Sequence, residues 1–101
     1  MASLEDVTNK LKGMVSEDTG LGNTLKFDLG DDGAVYLDAT QTPNVVSNDD
    51  KDAACTVKIA TDDFNSLLEG DLDPMAAFSL GKLQVDGDMS VAMKLGNVLG
   101  K

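Results

Sequence analysis

Polar and apolar positions change period several times along this chain, and each change marks a new element. Leu4, Val7, Leu11, Met14 and Val15 recur at helical spacing, with Ser3 placed as a cap, Asp6 three residues on, and GLGN at 20–23 as a stop. The period then drops to two. In TLKFDLG, Leu25, Phe27 and Leu29 alternate with Lys26 and Asp28, and in AVYLDAT, Val35, Leu37 and Ala39 alternate with Tyr36 and Asp38. GDDG at 30–33 is turn chemistry, so these two strands are expected to form a hairpin. Pro43 restricts a third strand, near PNVVS, to a short or edge position.

SNDDKD at 47–52 reads as a charged loop, after which ACTVKIA alternates through Cys55, Val57 and Ile59. In TDDFNSLLEG the helical period returns, with Thr61 or Asp62 as cap, Phe64, Leu67 and Leu68 as the apolar face, and Gly70 as stop. Asp73-Pro74 opens another short helix, with Met75, Phe78 and Leu80 apolar and Gly81 at its end. KLQVDGD restores alternation through Leu83 and Val85 before a final helix. Without repeats or a second composition, the chain reads as one α+β domain over 1–101, a sheet with helices on one face.

The final helix, MSVAMKLGNVLGK at 89–101, has an unusual balance. Ser90, Lys94, Asn97 and Lys101 fall in one stripe roughly 40–60° wide at 100° per residue. Met89, Val91, Ala92, Met93, Leu95, Val98 and Leu99 surround that stripe. A chain of 101 residues cannot enclose such a helix on every side. Either it meets a partner, or one flank packs on the sheet while another faces a ligand that completes the core.

Composition narrows the function classes. With 42% hydrophobic residues the chain can fold, but only four are aromatic (Phe27, Tyr36, Phe64, Phe78). Five methionines therefore share the interior, and Met adapts to irregular apolar spaces. Eighteen acids against eight bases give a net charge of −10, which opposes nucleic acid and anionic membranes as partners. The N-terminus lacks the apolar core of a signal peptide, no run reaches the ~20 residues of a membrane span, and the C-terminal LGK is not a peroxisomal address. A cytoplasmic protein is the expectation.

Chemistry is sparse. The chain contains no histidine, and its one cysteine, Cys55, falls on the apolar face of a strand with no base to activate it. DLGDDG puts Gly30 where a calcium loop wants Asp or Asn and Ala39 where it wants Glu, NDDKDA lacks both the glycine and the terminal glutamate, and no phosphate-cradling glycine motif occurs. Neither a metal nor a cofactor is expected, and the reading is non-enzymatic.

From Asp52 onward the residues become specific. The run starting Cys55-Thr56, with DDF at 62–64, LLEG at 67–70, DPMAAF at 73–78, GKLQVDGDM at 81–89 and AMKL at 92–95, closely resembles the sterol carrier protein 2 family of lipid-transfer domains. The first half of the chain matches in element order more than in residues. The resemblance implies a five-stranded, mostly antiparallel sheet whose fourth strand arrives by a crossover, with helices on one face enclosing an apolar cavity. It also implies binding and intracellular transfer of a fatty acid, fatty acyl-CoA, phospholipid or sterol, with no catalytic residues.

Shorter at its C-terminus and more acidic than eukaryotic members, the chain resembles a bacterial-type stand-alone domain. Chosen by facing, the expected lipid-binding wall is Phe27, Leu37, Cys55, Val57, Phe64, Leu68, Met75, Phe78, Met89 and Met93. The expected partner is a lipid held by a monomer, with transient membrane contact. The alternative is an interaction module that docks through its apolar C-terminal helix.

Overall fold

The computed structural model describes residues 3–14, 22–41 and 44–94. The four alternating runs and the PNVVS segment form β1 (Thr24–Asp28), β2 (Ala34–Asp38), β3 (Val45–Ser47), β4 (Cys55–Ile59) and β5 (Leu83–Gly87). They lie in the order β3-β2-β1-β4-β5. The sheet is mixed: β1 runs parallel to β4, and the other three neighbouring pairs are antiparallel. The parallel pair arises because β4 enters beside β1 after the chain has left β3 at the far edge.

Register aligns the apolar side chains on one face. Leu25 sits between Leu37 and Cys55, Phe27 between Val35 and Val57. Val57 and Ile59 then pair with Val85 and Leu83. Because side chains alternate faces along a strand, these residues share one side of the sheet. Helices α1 (Leu4–Met14), α2 (Thr61–Glu69), α3 (Pro74–Ser79) and α4 (Met89–Met93) complete the described elements. α1 buries Val7, Thr8 and Leu11, and α2 buries Thr61, Phe64, Leu67 and Leu68. The Phe64 ring stacks on Phe27 with centroids 4.4 Å apart and planes inclined by 27°. Lys10 ties the two helices at their surface, donating to Asn65 and, at 3.0 Å, to Glu69.

Acidic side chains fix several helix starts and turns. At α1 the Ser3 amide donates to the Asp6 carboxylate (3.1 Å) and the Asp6 amide donates to Ser3 Oγ (3.2 Å). The Ser3 amide, and after it the Ser3 hydroxyl, hold the Asp6 carboxyl below its ordinary range. Asp38 is lowered in the same way, first by the Thr40 hydroxyl and then by Gln41 and the Thr40 amide, where the chain turns out of β2.

Three expectations from the residue pattern change. α2 has no side-chain cap at Thr61 or Asp62: the cap position is Ala60, and the Thr61 hydroxyl instead donates to Asp32 in the turn between β1 and β2. Tyr36, expected on the solvent side of its strand, is buried, because the 48–52 loop crosses that face. Its hydroxyl donates to the Asp52 carbonyl at 3.4 Å and Lys51 lies 4.9 Å from the ring centroid. Leu80 is exposed rather than packed, since α3 ends at Ser79 and presents only Ala77 to the core. In the last helix, Val91 is buried and Ser90 and Lys94 are exposed, while Leu95, Asn97, Val98, Leu99 and Lys101 lie outside the described residues, as does Val15 of the first.

Truncating Phe64 to Ala removes the stack on Phe27 and leaves a void under α2. Urea unfolding should show a loss of about 3–5 kcal/mol. Val45→Ala, on the exposed edge strand, should stay within about 0.5 kcal/mol of the parent. Comparable losses at the two positions would contradict the assigned core.

Candidate functional site: an apolar groove on the edge strand

The segment 73–94 builds a groove over the inner face of β5. Asp73 starts α3 by accepting the amides of Met75 and Ala76, each at 3.1 Å, and Pro74 occupies the first turn where its missing N–H costs nothing. β5 follows, and Gly87 closes it at φ 110°. A Cβ at Gly87 would stand 2.6 Å from the Ala54 carbonyl oxygen, which accepts the Asp88 amide at 2.8 Å. Only glycine allows that approach and that backbone angle. Asp88 then caps α4 by accepting the Ser90 amide at 2.8 Å. The run VDGDM is thus the hinge that turns an edge strand back as a helix.

Met75 and Phe78 from α3, Leu83 and Val85 from β5, and Met89 and Met93 from α4 line the groove, with Pro74 and Ala92 also contributing. Its volume is about 110 Å³ and its lining is almost wholly apolar. Four of these side chains are open to water: Met75 is 72% exposed, Phe78 49%, Met89 52% and Met93 82%. Ala77 and Val91 are the buried anchors of α3 and α4.

The ten side chains chosen from sequence separate into two groups. Met75, Phe78, Met89 and Met93 come together at the groove. Phe27, Leu37, Cys55, Val57, Phe64 and Leu68 lie in the buried core. The first five of these have no exposed surface, so no water-sized space touches them. Alternation marks Leu83 and Val85 as one face of the last strand, not as wall. Their placement on an edge strand flanked by two short helices is the signal that marks them.

A second, shallower hollow of about 350 Å³ lies at the ends of β1, β4 and β5. Its walls mix Leu29, Ile59 and Ala60 with Asp28, Lys58, Lys82 and Gln84, so its lining is more polar than that of the groove. The Cys55 thiol is pushed up, first by burial and then by the charges of Asp88 and Asp86. Among the described residues no group of three or more acidic or thiol side chains could hold a metal ion. Asp28 and Asp32, in the calcium-like sequence, serve the turn instead, accepting from the Gly30 amide (2.9 Å) and from Thr61.

The described residues thus form a mixed five-stranded sheet with helices on one face and an apolar groove at its edge. Residues 4–100 match the model of the SCP-2 sterol transfer family, and the chain belongs to that family. Human sterol carrier protein 2 is 46% identical over 55 residues, 54% of this chain. The chain spans about a tenth of that relative's length. Among solved structures, the apo form of sterol carrier protein 2 from Yarrowia lipolytica superposes with a TM-score of 0.76 at 21% identity, over 92% of this chain and 86% of that one. Palmitated SCP2L2 from Aedes aegypti superposes with a TM-score of 0.66 at 17% identity, covering 99% and 96% of the two chains.

Burial and the raised thiol together make Cys55 inert in the native state. Iodoacetamide at neutral pH should label it only under denaturing conditions, read by mass spectrometry of the intact protein. Rapid native labelling would show that the sheet–helix layer opens to solvent at β4.

Proposed function

We propose that this chain is a non-enzymatic lipid carrier that holds the acyl portion of its cargo in the groove between α3, β5 and α4. The observation that carries the reading is the lining: eight apolar residues, three of them methionine, with several side chains open to water. Large apolar side chains left exposed together usually mark a binding surface. Methionine suits a flexible hydrocarbon because its thioether chain repacks around different shapes. Palmitate in the similar mosquito protein supports a fatty acyl ligand.

The groove's volume is below the roughly 300–1,000 Å³ of sites that enclose a whole ligand. A long chain therefore enters by displacing the exposed methionines and spreading α3 from α4. These are the elements to spread, since each is anchored by one buried residue whereas α2 is anchored by four.

Energetics favour a carrier over a tight receptor. Removing a methylene from water gains about 0.8 kcal/mol, so a 16-carbon chain gains roughly 12 kcal/mol gross. A bilayer offers nearly the same, which leaves exchange between bilayer and protein close to neutral. Headgroup contacts then set preference among fatty acid, acyl-CoA, phospholipid and sterol. Catalysis on the cargo has no support, because the only thiol is buried and the chain contains no histidine.

Delipidated protein should bind a fluorescent fatty acid with a micromolar or tighter Kd and release it to unlabelled fatty acid, and native mass spectrometry should show one bound lipid. Met93→Trp, which fills the groove, should weaken binding about tenfold with unchanged thermal stability. Full affinity in this variant would remove the groove as the site.

A further inference from the structure

We propose that Met75, Met89 and Met93 form a reversible oxidation site, and that a hydroperoxide converts them to methionine sulfoxide and thereby lowers the groove's affinity for hydrocarbon. The chain has five methionines, and three of them meet at this one place. They are 72%, 52% and 82% exposed, whereas Met14 is partly buried against the core. Other side chains that peroxides attack are absent or covered. The chain has no tryptophan and no histidine, and its single thiol, Cys55, has no exposed surface. Among the described residues, the oxidisable surface is thus concentrated in the wall of the groove.

The step needs nothing from the protein beyond the thioether. With hydrogen peroxide, the sulfur lone pair attacks one peroxide oxygen, and the S–O bond forms as the O–O bond breaks. The second oxygen takes the proton of the first and leaves as water. Sulfur is oxidised by two electrons and the peroxide is reduced by two. Methionine sulfoxide reductases reverse the change: a dithiol becomes a disulfide and the sulfoxide oxygen departs as water.

The consequence for cargo rests on the carrier reading. In the empty groove a sulfoxide oxygen stays in water, and Ala77 and Val91 still anchor α3 and α4, so the fold loses nothing. Hydrocarbon entering the groove strips that water from a strong acceptor. The lining of Pro, Met, Phe, Leu, Val and Ala offers no side-chain donor to replace it. The cost therefore falls on loading alone. Leucine in place of these methionines would leave an apolar wall without the response.

After hydrogen peroxide, peptide mass spectrometry should find oxygen at Met75, Met89 and Met93 before Met14. The oxidised protein should keep its thermal midpoint and bind a fluorescent fatty acid at least about tenfold more weakly, and sulfoxide reductases with dithiothreitol should restore the affinity. The triple variant Met75→Leu, Met89→Leu, Met93→Leu should hold whatever affinity it has through the same treatment, while Met14→Leu should lose affinity as the parent does. Oxidation first at Met14 or Cys55, a triple variant that still loses affinity, or a lowered thermal midpoint of the unliganded oxidised protein would each overturn the assignment. Absence of fatty-acid binding before oxidation overturns the carrier reading, and the order of oxidation then still decides where the site lies. Binding that survives oxidation at all three positions overturns the oxidation site alone.

Discussion

The structure depends on how few helical residues are available to cover one apolar sheet face. Four of the five strands present Leu25, Phe27, Val35, Leu37, Cys55, Val57, Ile59, Leu83 and Val85 on the same side. α1 and α2 supply seven buried residues between them, and their partners in the centre of the sheet are closed to water. α3 and α4 supply Ala77 and Val91, both small for the task. The deficit falls at β5, where Val85 is only partly buried and exposed methionines surround it. A groove is what remains when apolar area exceeds its cover.

The acidic composition fits the same picture through local chemistry. Asp6, Asp28, Asp38, Asp73 and Asp88 each accept backbone amides at a helix start or turn. Helix starts and tight turns leave amides without backbone partners, and a carboxylate beside them is favoured by both hydrogen bonding and the local dipole. Short elements need many such points, so a chain of small helices and five brief strands absorbs many aspartates without any metal. The net charge that follows shapes which surfaces the protein can approach.

Much of the fold was legible because the period of the sequence switches cleanly. Four strands and the starts at Ser3 and Asp73 follow from alternation and capping chemistry, the short third strand from the apolar pair beside Pro43, and Gly70 ends α2 in the left-handed conformation that glycine favours. The parallel pairing of β1 and β4 was not written in any residue spacing, since strand neighbours depend on long-range packing. Tyr36 shows a second limit: alternation assigns it a face, but the loop crossing that face decides its burial. For the site, facing alone does not separate Phe27 from Met93. Both look inward on a wheel or a strand, and only the spread of cover over the sheet divides filled core from open groove.

The narrow polar stripe of the last helix acquires a physical sense from this division. In the described part of that helix, Val91 faces the sheet while Met89 and Met93 face outward over the groove. A helix apolar on two flanks is unstable in water unless something meets the second flank, yet a permanent partner there would block the opening. On the carrier reading proposed above, the hydrocarbon of the cargo is what meets that flank. Leucine or phenylalanine at these positions would fix a shape, whereas the unbranched, polarizable methionines accept whichever neighbour is present.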